Sequence, residues 1–237
     1  MKAANDPMGR AIKEYFETGK AERLRVFSPM FDEDEIPVAT LFRSERQMPP
    51  IEQQTLRMAA GKTLDVGAGA GCHTLALQER GIDVTAIDIS PLSVATMRLR
   101  GVNDARQQDF FRMSGHYHTV LMLMNGIGIV GRVSRLPAFF SHLDRILAPN
   151  GQLLCDSSDI SYVFKDDNGE MQPPVPGQYY GELTYRMQYR DTMGAPFPWL
   201  YIDADTLRAC ARASGYRLEV IGQGRHYDYL ARITKFR

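Results

Sequence analysis

The segment Thr63-Leu64-Asp65-Val66-Gly67-Ala68-Gly69-Ala70-Gly71 constrains the fold of this 237-residue chain more than any other. An apolar strand pattern runs into a loop with glycine at every second position, and a helical pattern follows from His73 to Arg80. Glycines so spaced let the backbone turn sharply at a strand end and approach a ligand without interference from side chains. The next apolar run, Asp83-Val84-Thr85-Ala86-Ile87, ends on Asp88, placed to accept hydrogen bonds from a ribose. Together the two features point to a nucleoside-containing cofactor.

The order of the glycines discriminates among such cofactors. A dinucleotide fingerprint reads G-x-G-x-x-G, with a pyrophosphate at the helix N-terminus. Here the order is G-x-G-x-G, and Asp65 stands two residues before the first glycine. A carboxylate there repels a pyrophosphate and suits a cationic amino group, which favours S-adenosylmethionine. The stretch Leu64–Gly71 resembles motif I of the class I S-adenosylmethionine-dependent methyltransferases, and Asp88 matches the acid of their second motif. The resemblance runs from about Gly61 to the C-terminus. It implies an α/β, Rossmann-like fold: a seven-stranded, mostly parallel sheet with a reversed last strand and helices on both faces.

The punctuation of the chain agrees. Ser90-Pro91 opens a helix that runs to about Arg100, and a short strand over Ala105–Gln107 leads to Asp109. Thr119–Met124 is a continuous apolar run, as expected of a strand buried on both faces. A helix over Ser134–Leu147 ends at Ala148-Pro149-Asn150-Gly151, and Gly151–Asp156 is the fifth strand. Leu183–Arg190 and Phe197–Ile202 read as a hairpin within an insertion of about residues 160–202. A helix over Asp203–Ser214 and two closing strands, Arg217–Ile221 and Tyr229–Lys235, complete a methyltransferase domain over 61–237. Residues 1–60 form a separate segment with helices over Gly9–Gly19 and Pro49–Ala60, read as an N-terminal helical lid. The acidic run Asp32–Glu35 between them reads as a solvated stretch.

Composition sets the bounds. A hydrophobic fraction of 44% is ordinary for a globular domain, and a formal net charge of zero draws the whole molecule to neither nucleic acid nor acidic membranes. Cys72, Cys155 and Cys210 are too scattered for a disulfide framework or a zinc site, so no metal is expected. Met1–Arg10 lacks the apolar core of a signal peptide, and no apolar run is long enough to span a bilayer. The cytoplasm is the expected compartment.

The resemblance then distributes roles. Asp65, Gly67, Ala68, Gly69 and Gly71 hold the methionine part of the cofactor, Asp88 the ribose, and Ile89 lies against the adenine. Asp109 accepts a hydrogen bond from the adenine amino group and Phe110 packs on the ring, although an acid after a strand is also a common turn residue. Asn125 follows the fourth strand, where it faces both methionine and substrate or serves Gly126 as an Asx-turn partner. The proline-rich Asn-Pro-Pro or Asp-Pro-Pro signature of DNA N-methyltransferases is absent here, which weighs against nucleobase amines. Candidate substrate contacts are Arg43, whose planar fork suits a carboxylate, Asp156 at the end of the fifth strand, and Tyr180 among Tyr179, Tyr185 and Tyr189. His226 is a candidate base in a turn. His116 and His118 lie at the wrong end of their strand for the site.

The expected activity is methyl transfer to O, N or S of a small-molecule acceptor. A protein or RNA acceptor, a non-catalytic S-adenosylmethionine-binding protein, and a nicotinamide oxidoreductase are the alternatives. The sulfonium is already an activated methyl donor, so family members share cofactor motifs without sharing a catalytic residue.

Overall fold

The computed structural model describes residues 2–166, 168, 170–172, 177–224 and 227–236, and His226 lies outside them. In chain order the first elements are α1 (Pro7–Thr18), β1 (Leu24–Ser28), β2 (Phe31–Ile36) and α2 (Pro50–Met58). Then come β3 (Thr63–Val66), α3 (Cys72–Glu79), β4 (Val84–Asp88), α4 (Pro91–Leu99), β5 (Ala105–Gln107), β6 (Tyr117–Met122), α5 (Leu136–Ile146) and β7 (Leu147–Ser158). The chain closes with β8 (Glu182–Tyr189), β9 (Thr192–Met193), β10 (Phe197–Leu200), α6 (Ala204–Ala213), β11 (Tyr216–Gln223) and β12 (Asp228–Lys235).

Seven strands form the central sheet in the order β11-β12-β7-β6-β3-β4-β5. The pairs from β7 to β5 are parallel, and β12 runs antiparallel to both β7 and β11. The fold is therefore Rossmann-like with a reversed last strand, which inserts between β7 and β11 and leaves β11 on the edge. Alternation along the strands serves two cores. Val120 and Met122 of β6 and Leu153 and Cys155 of β7 join Phe139, Phe140 and Leu143 of α5 on one face. Leu121 and Leu154, one residue out of phase, join Leu56 of α2 and Leu77 of α3 on the other. Both faces are covered, so these strands read as unbroken apolar runs.

Two boundaries differ from the sequence reading for a physical reason. The fourth strand of the sheet spans Tyr117–Met122, because Met124 and Asn125 turn off with φ of 58° and 57°. The expected turn at Ala148–Gly151 is absorbed into β7, where Asn150 takes a left-handed φ of 59° and the register with β6 shifts.

The first sixty residues do more than cover an edge. α2 packs on α3, β11 and β12 and completes the second face of the sheet. Residues 24–36, to which the sequence reading gave no element, are β1 and β2. They join the inserted hairpin in a separate antiparallel sheet of order β10-β8-β1-β2, with β9 also on β8. The acidic run thus lies in a strand: Glu33 bonds to Arg25 and Glu35 to Arg23 on its exposed face. No helix among the described residues is long and apolar enough to cross a membrane.

α1 is fastened to the central domain by a buried carboxylate. Asp6 caps α1 by accepting from the Gly9 amide at 2.8 Å, and its other oxygen accepts from the Ser90 hydroxyl at 2.6 Å. Ser90 in turn caps α4 through the Ser93 amide. Asp6→Ala removes both bonds from a fully buried site, and we expect urea denaturation to show a loss of about 2–4 kcal/mol.

Candidate active site

A cavity of about 650 Å³ opens between the carboxyl ends of the parallel strands and the antiparallel sheet. From the parallel side it is lined by Asp65, Gly67–Gly69, His73, Asp88 and Leu123–Gly126. From the other sheet it receives Val26, Asp34 and Ile36, together with Tyr185, Met187, Phe197 and Trp199.

The three glycines of the loop divide their work. Gly67 and Gly69 have φ of 69° and 58° and line the cavity. A Cβ on Gly67 would meet nothing within 4 Å, and one on Gly69 only the Gly67 carbonyl at 4.0 Å. Open space in front of left-handed backbone is what a closely approaching ligand needs. Gly71, with φ of 82°, faces the protein instead: a Cβ there would lie 3.0 Å from Val102 and 3.1 Å from Met97.

Asp65 is buried, and its carboxylate accepts from the Thr74 hydroxyl at 2.6 Å. Burial pushes its pKa up, while the charge of His73 and the Thr74 bond work against that push. Asp88 accepts from the Gly69 amide at 2.9 Å and the Ser90 amide at 2.8 Å. Burial raises it to about 6 against those two bonds, with the charges of Asp6 and Asp65 adding to the rise. Ile89, next in the chain, is an exposed apolar side chain at 50% accessibility.

Behind the loop lies a cluster that sequence reading missed. The buried Glu52 accepts from Arg43 Nη2 at 2.8 and 2.9 Å and meets His73 Nε2 at 2.7 Å. Burial raises the Glu52 pKa, but His73 and Arg43 outweigh it and bring the net shift below the ordinary carboxylate value. Burial lowers that of His73, yet Cys72, Glu52 and Asp65 together hold it well above the usual histidine range. Arg43 is therefore committed to Glu52, and its Nε is buried without a partner. The only sequence signal for this cluster is polar residues at buried helical positions, which cannot be read before the partners are known.

Asn125 sits at a junction. Its amide donates to Asp156 at 2.8 Å, and its side-chain oxygen accepts from Ser157 Oγ at 2.9 Å. The same Ser157 oxygen accepts from the Ile202 amide. Asp156 is pushed up to about 7, chiefly by burial, and stands beneath the cavity floor rather than in its lining.

Three expected contacts lie elsewhere. Phe110 is 3% exposed and packs against Phe139 and His142, so its ring belongs to the core and not to a ligand. Asp109 is exposed, outside the cavity lining, and caps the Phe111 amide at 2.9 Å. Tyr180 donates to Asp159 at 2.7 Å and does not line the cavity; Tyr185 does. His118 Nδ1 accepts from the Lys62 amide at the amino end of β6, away from the site.

The cavity lining holds neither lysine nor arginine, and the His73 cation in it is already paired with Glu52, so a pyrophosphate finds no free counter-charge among the described residues. Acids beside an open glycine loop suit a donor that carries a sulfonium and an ammonium. With this strand order, they define an S-adenosylmethionine-dependent methyltransferase.

Comparison with known proteins agrees. A family model described as a methyltransferase domain matches residues 39–220. The crystal structure of an S-adenosylmethionine-dependent methyltransferase from Bacteroides fragilis, in complex with S-adenosylhomocysteine, is 54% identical. It matches over 100% of this chain and 98% of its own, with a TM-score of 0.95. The chain belongs to the class I S-adenosylmethionine-dependent methyltransferases, and S-adenosylmethionine is its cofactor. The CcbJ methyltransferase from Streptomyces caelestis shares the fold at 12% identity and a TM-score of 0.64, over 98% of this chain and 99% of that one. A ubiquinone biosynthesis O-methyltransferase from Idiomarina loihiensis is 38% identical over 60 residues, and the chain spans only 25% of that relative's length.

The charges of the site make three expectations testable. Asp88, expected from its place at the end of β4 to accept from a ribose, would do so in its ionised form; its pKa is raised to about 6, so affinity for S-adenosylhomocysteine should fall as the pH drops through that value. Titration calorimetry across this range should show the loss. Asp88→Ala at neutral pH should weaken binding by about tenfold to a hundredfold, equivalent to about 1.5–3 kcal/mol. Glu52→Gln strands the Arg43 and His73 cations in a buried site and should lower unfolding free energy by about 3–5 kcal/mol in urea.

Proposed function

We propose that this enzyme methylates O, N or S of a small-molecule acceptor held against the antiparallel sheet. The observation that carries this reading is the aromatic wall of the cavity, made by Phe31, Tyr185, Phe197, Trp199 and Tyr201. Trp199 is set by close packing: a Cβ on Gly128 would lie 2.3 Å from the indole. A cavity of this volume falls in the range of sites that enclose small ligands, which runs from about 300 to 1,000 Å³.

In this reading Asp65 and the glycine loop orient the methionine end of the donor, and Asp88 holds the ribose. Ile89 offers an apolar face to the adenine. The donor supplies an activated methyl group, so the chain supplies alignment and exclusion of water. Met124 and Asn125 bring backbone to the boundary between donor and acceptor. Two consecutive non-glycine residues with positive φ are costly, and such conformations gather at functional sites.

The test is transfer of a labelled methyl group from S-adenosylmethionine to separate pools of small aromatic amines, phenols and thiols, of protein, and of RNA. Label in a small-molecule pool is the expected result. Trp199→Ala should raise the acceptor KM by about tenfold while leaving S-adenosylhomocysteine affinity unchanged. Label in protein or RNA alone would overturn the reading.

A further inference from the structure

Strand register determines which side chains of the antiparallel sheet face the cavity. Val26 pairs with both Asp34 and Met187, Leu24 with Ile36, and Phe197 with Tyr185. Val26, Ile36, Tyr185, Met187 and Phe197 all line the cavity, so alternation puts Asp34 on that same face, exposed at the open side, where Ser28, Asp32 and Glu33 also reach the lining. Its neighbours in the run are neutralised: Glu33 by Arg25 and Glu35 by Arg23. Asp34 and Asp32, both at the cavity, make no ion pair with any described residue. Asp34 also lies near two phenols. Burial raises the pKa of Tyr185 and Tyr201, and the Asp34 charge raises both further.

We propose that the acceptor is an amine that enters as its ammonium form, with the positive charge set against Asp34 and the rings of Tyr185, Tyr201 and Trp199. This rests on the small-molecule reading above and names its substrate class. A cation gains from the carboxylate and from the aromatic faces together. An anionic acceptor meets uncompensated acids and no lysine or arginine in the lining. A neutral phenol or alcohol covers Asp34 without answering its charge, which costs the solvation of a carboxylate. Before transfer the ammonium gives one proton to solvent. The freed lone pair forms the carbon–nitrogen bond while the carbon–sulfur bond breaks, its electrons remaining on the sulfur of S-adenosylhomocysteine.

The experiment is calorimetric titration of the S-adenosylhomocysteine-loaded protein with three probes of similar shape: phenethylamine, phenethyl alcohol and hydrocinnamate. Phenethylamine should bind about tenfold or more tightly than the alcohol, and hydrocinnamate should not bind. In Asp34→Asn that preference should shrink to about twofold, with S-adenosylhomocysteine affinity as the check that the variant is folded. Asp34→Glu should keep the preference. Equal or tighter binding of the alcohol or the carboxylate, no binding of any probe, or a preference that survives Asp34→Asn would each overturn the proposal. Methyl label found in phenols or thiols but not in amines would overturn it too while leaving the small-molecule reading intact. Label confined to protein or RNA removes that reading instead, so the two failures are distinct.

Discussion

The carboxylate of Glu52 ties together three pieces of chain behind the glycine loop. It stands on α2, receives Arg43 from the turn before that helix, and meets His73 in the first turn of α3. The charges of all three are largely removed from water, an arrangement that is stable only because each finds its counter-charge within hydrogen-bond distance. α3 is the helix that leaves the glycine loop, so its first turn fixes where Gly67 and Gly69 present their backbone. The N-terminal segment therefore supports the glycine loop from behind, without lining the cavity at Glu52 or Arg43 themselves. Asp6 performs a parallel service at the next strand end, where its bond to Ser90 supports the turn that also holds Asp88.

The antiparallel side of the cavity is built by a different principle. β1 and β8 pair from opposite ends of the chain, and neither β1–β2 nor β8–β10 covers the site alone. A two-stranded hairpin is marginal by itself, and joining the two hairpins gives a sheet wide enough to bury an apolar face. The sheet is seated on the central domain through Ser157, which bonds to Asn125 and to the Ile202 amide. Asn125 is thus a joint between the end of β6 and the insertion. This accounts for the tolerated left-handed backbone there: the bonds to Asp156 and Ser157 over-determine it.

This division explains what was legible in the sequence. The glycine loop, Asp65 and Asp88 are set by local backbone geometry at strand ends, so their spacing carried the fold and the cofactor class together. The seven-stranded sheet was legible for the same reason, since strands buried on both faces leave apolar runs. The strands β1 and β2 were not, because β2 alternates Asp and Glu on both faces and reads as solvated chain. Glu52 and His73 were missed because each is explained only by a partner from another element. Phe110 was misplaced by analogy of position: the chain after β5 enters a short helical turn that points the ring into the core against Phe139. Tyr180 was one tyrosine of four, and only register and tertiary placement separate Tyr185, at the cavity, from Tyr180 and the buried Tyr189.

Strand parity also sets the charge of the antiparallel wall of the cavity. In β2 a shift of one residue would carry Asp34 to the outer face and part Glu33 and Glu35 from Arg25 and Arg23. Such a slip is resisted by Leu24, fully buried between Ile36 on one side and Tyr189 on the other. Exposing Leu24, Val26 and Ile36 would forfeit about 1.5–3 kcal/mol for each fully buried side chain, and no ion pair on the outer face returns that much. An apolar core on one side of a five-stranded sheet thus holds Asp34 against the cavity without a salt-bridge partner among the described residues. The glycine loop is written in consecutive residues, whereas the antiparallel wall of the cavity depends on a register between segments distant in the chain. That is why the sequence points readily to the methyl donor, and why the opposite wall becomes readable only once the strands are paired.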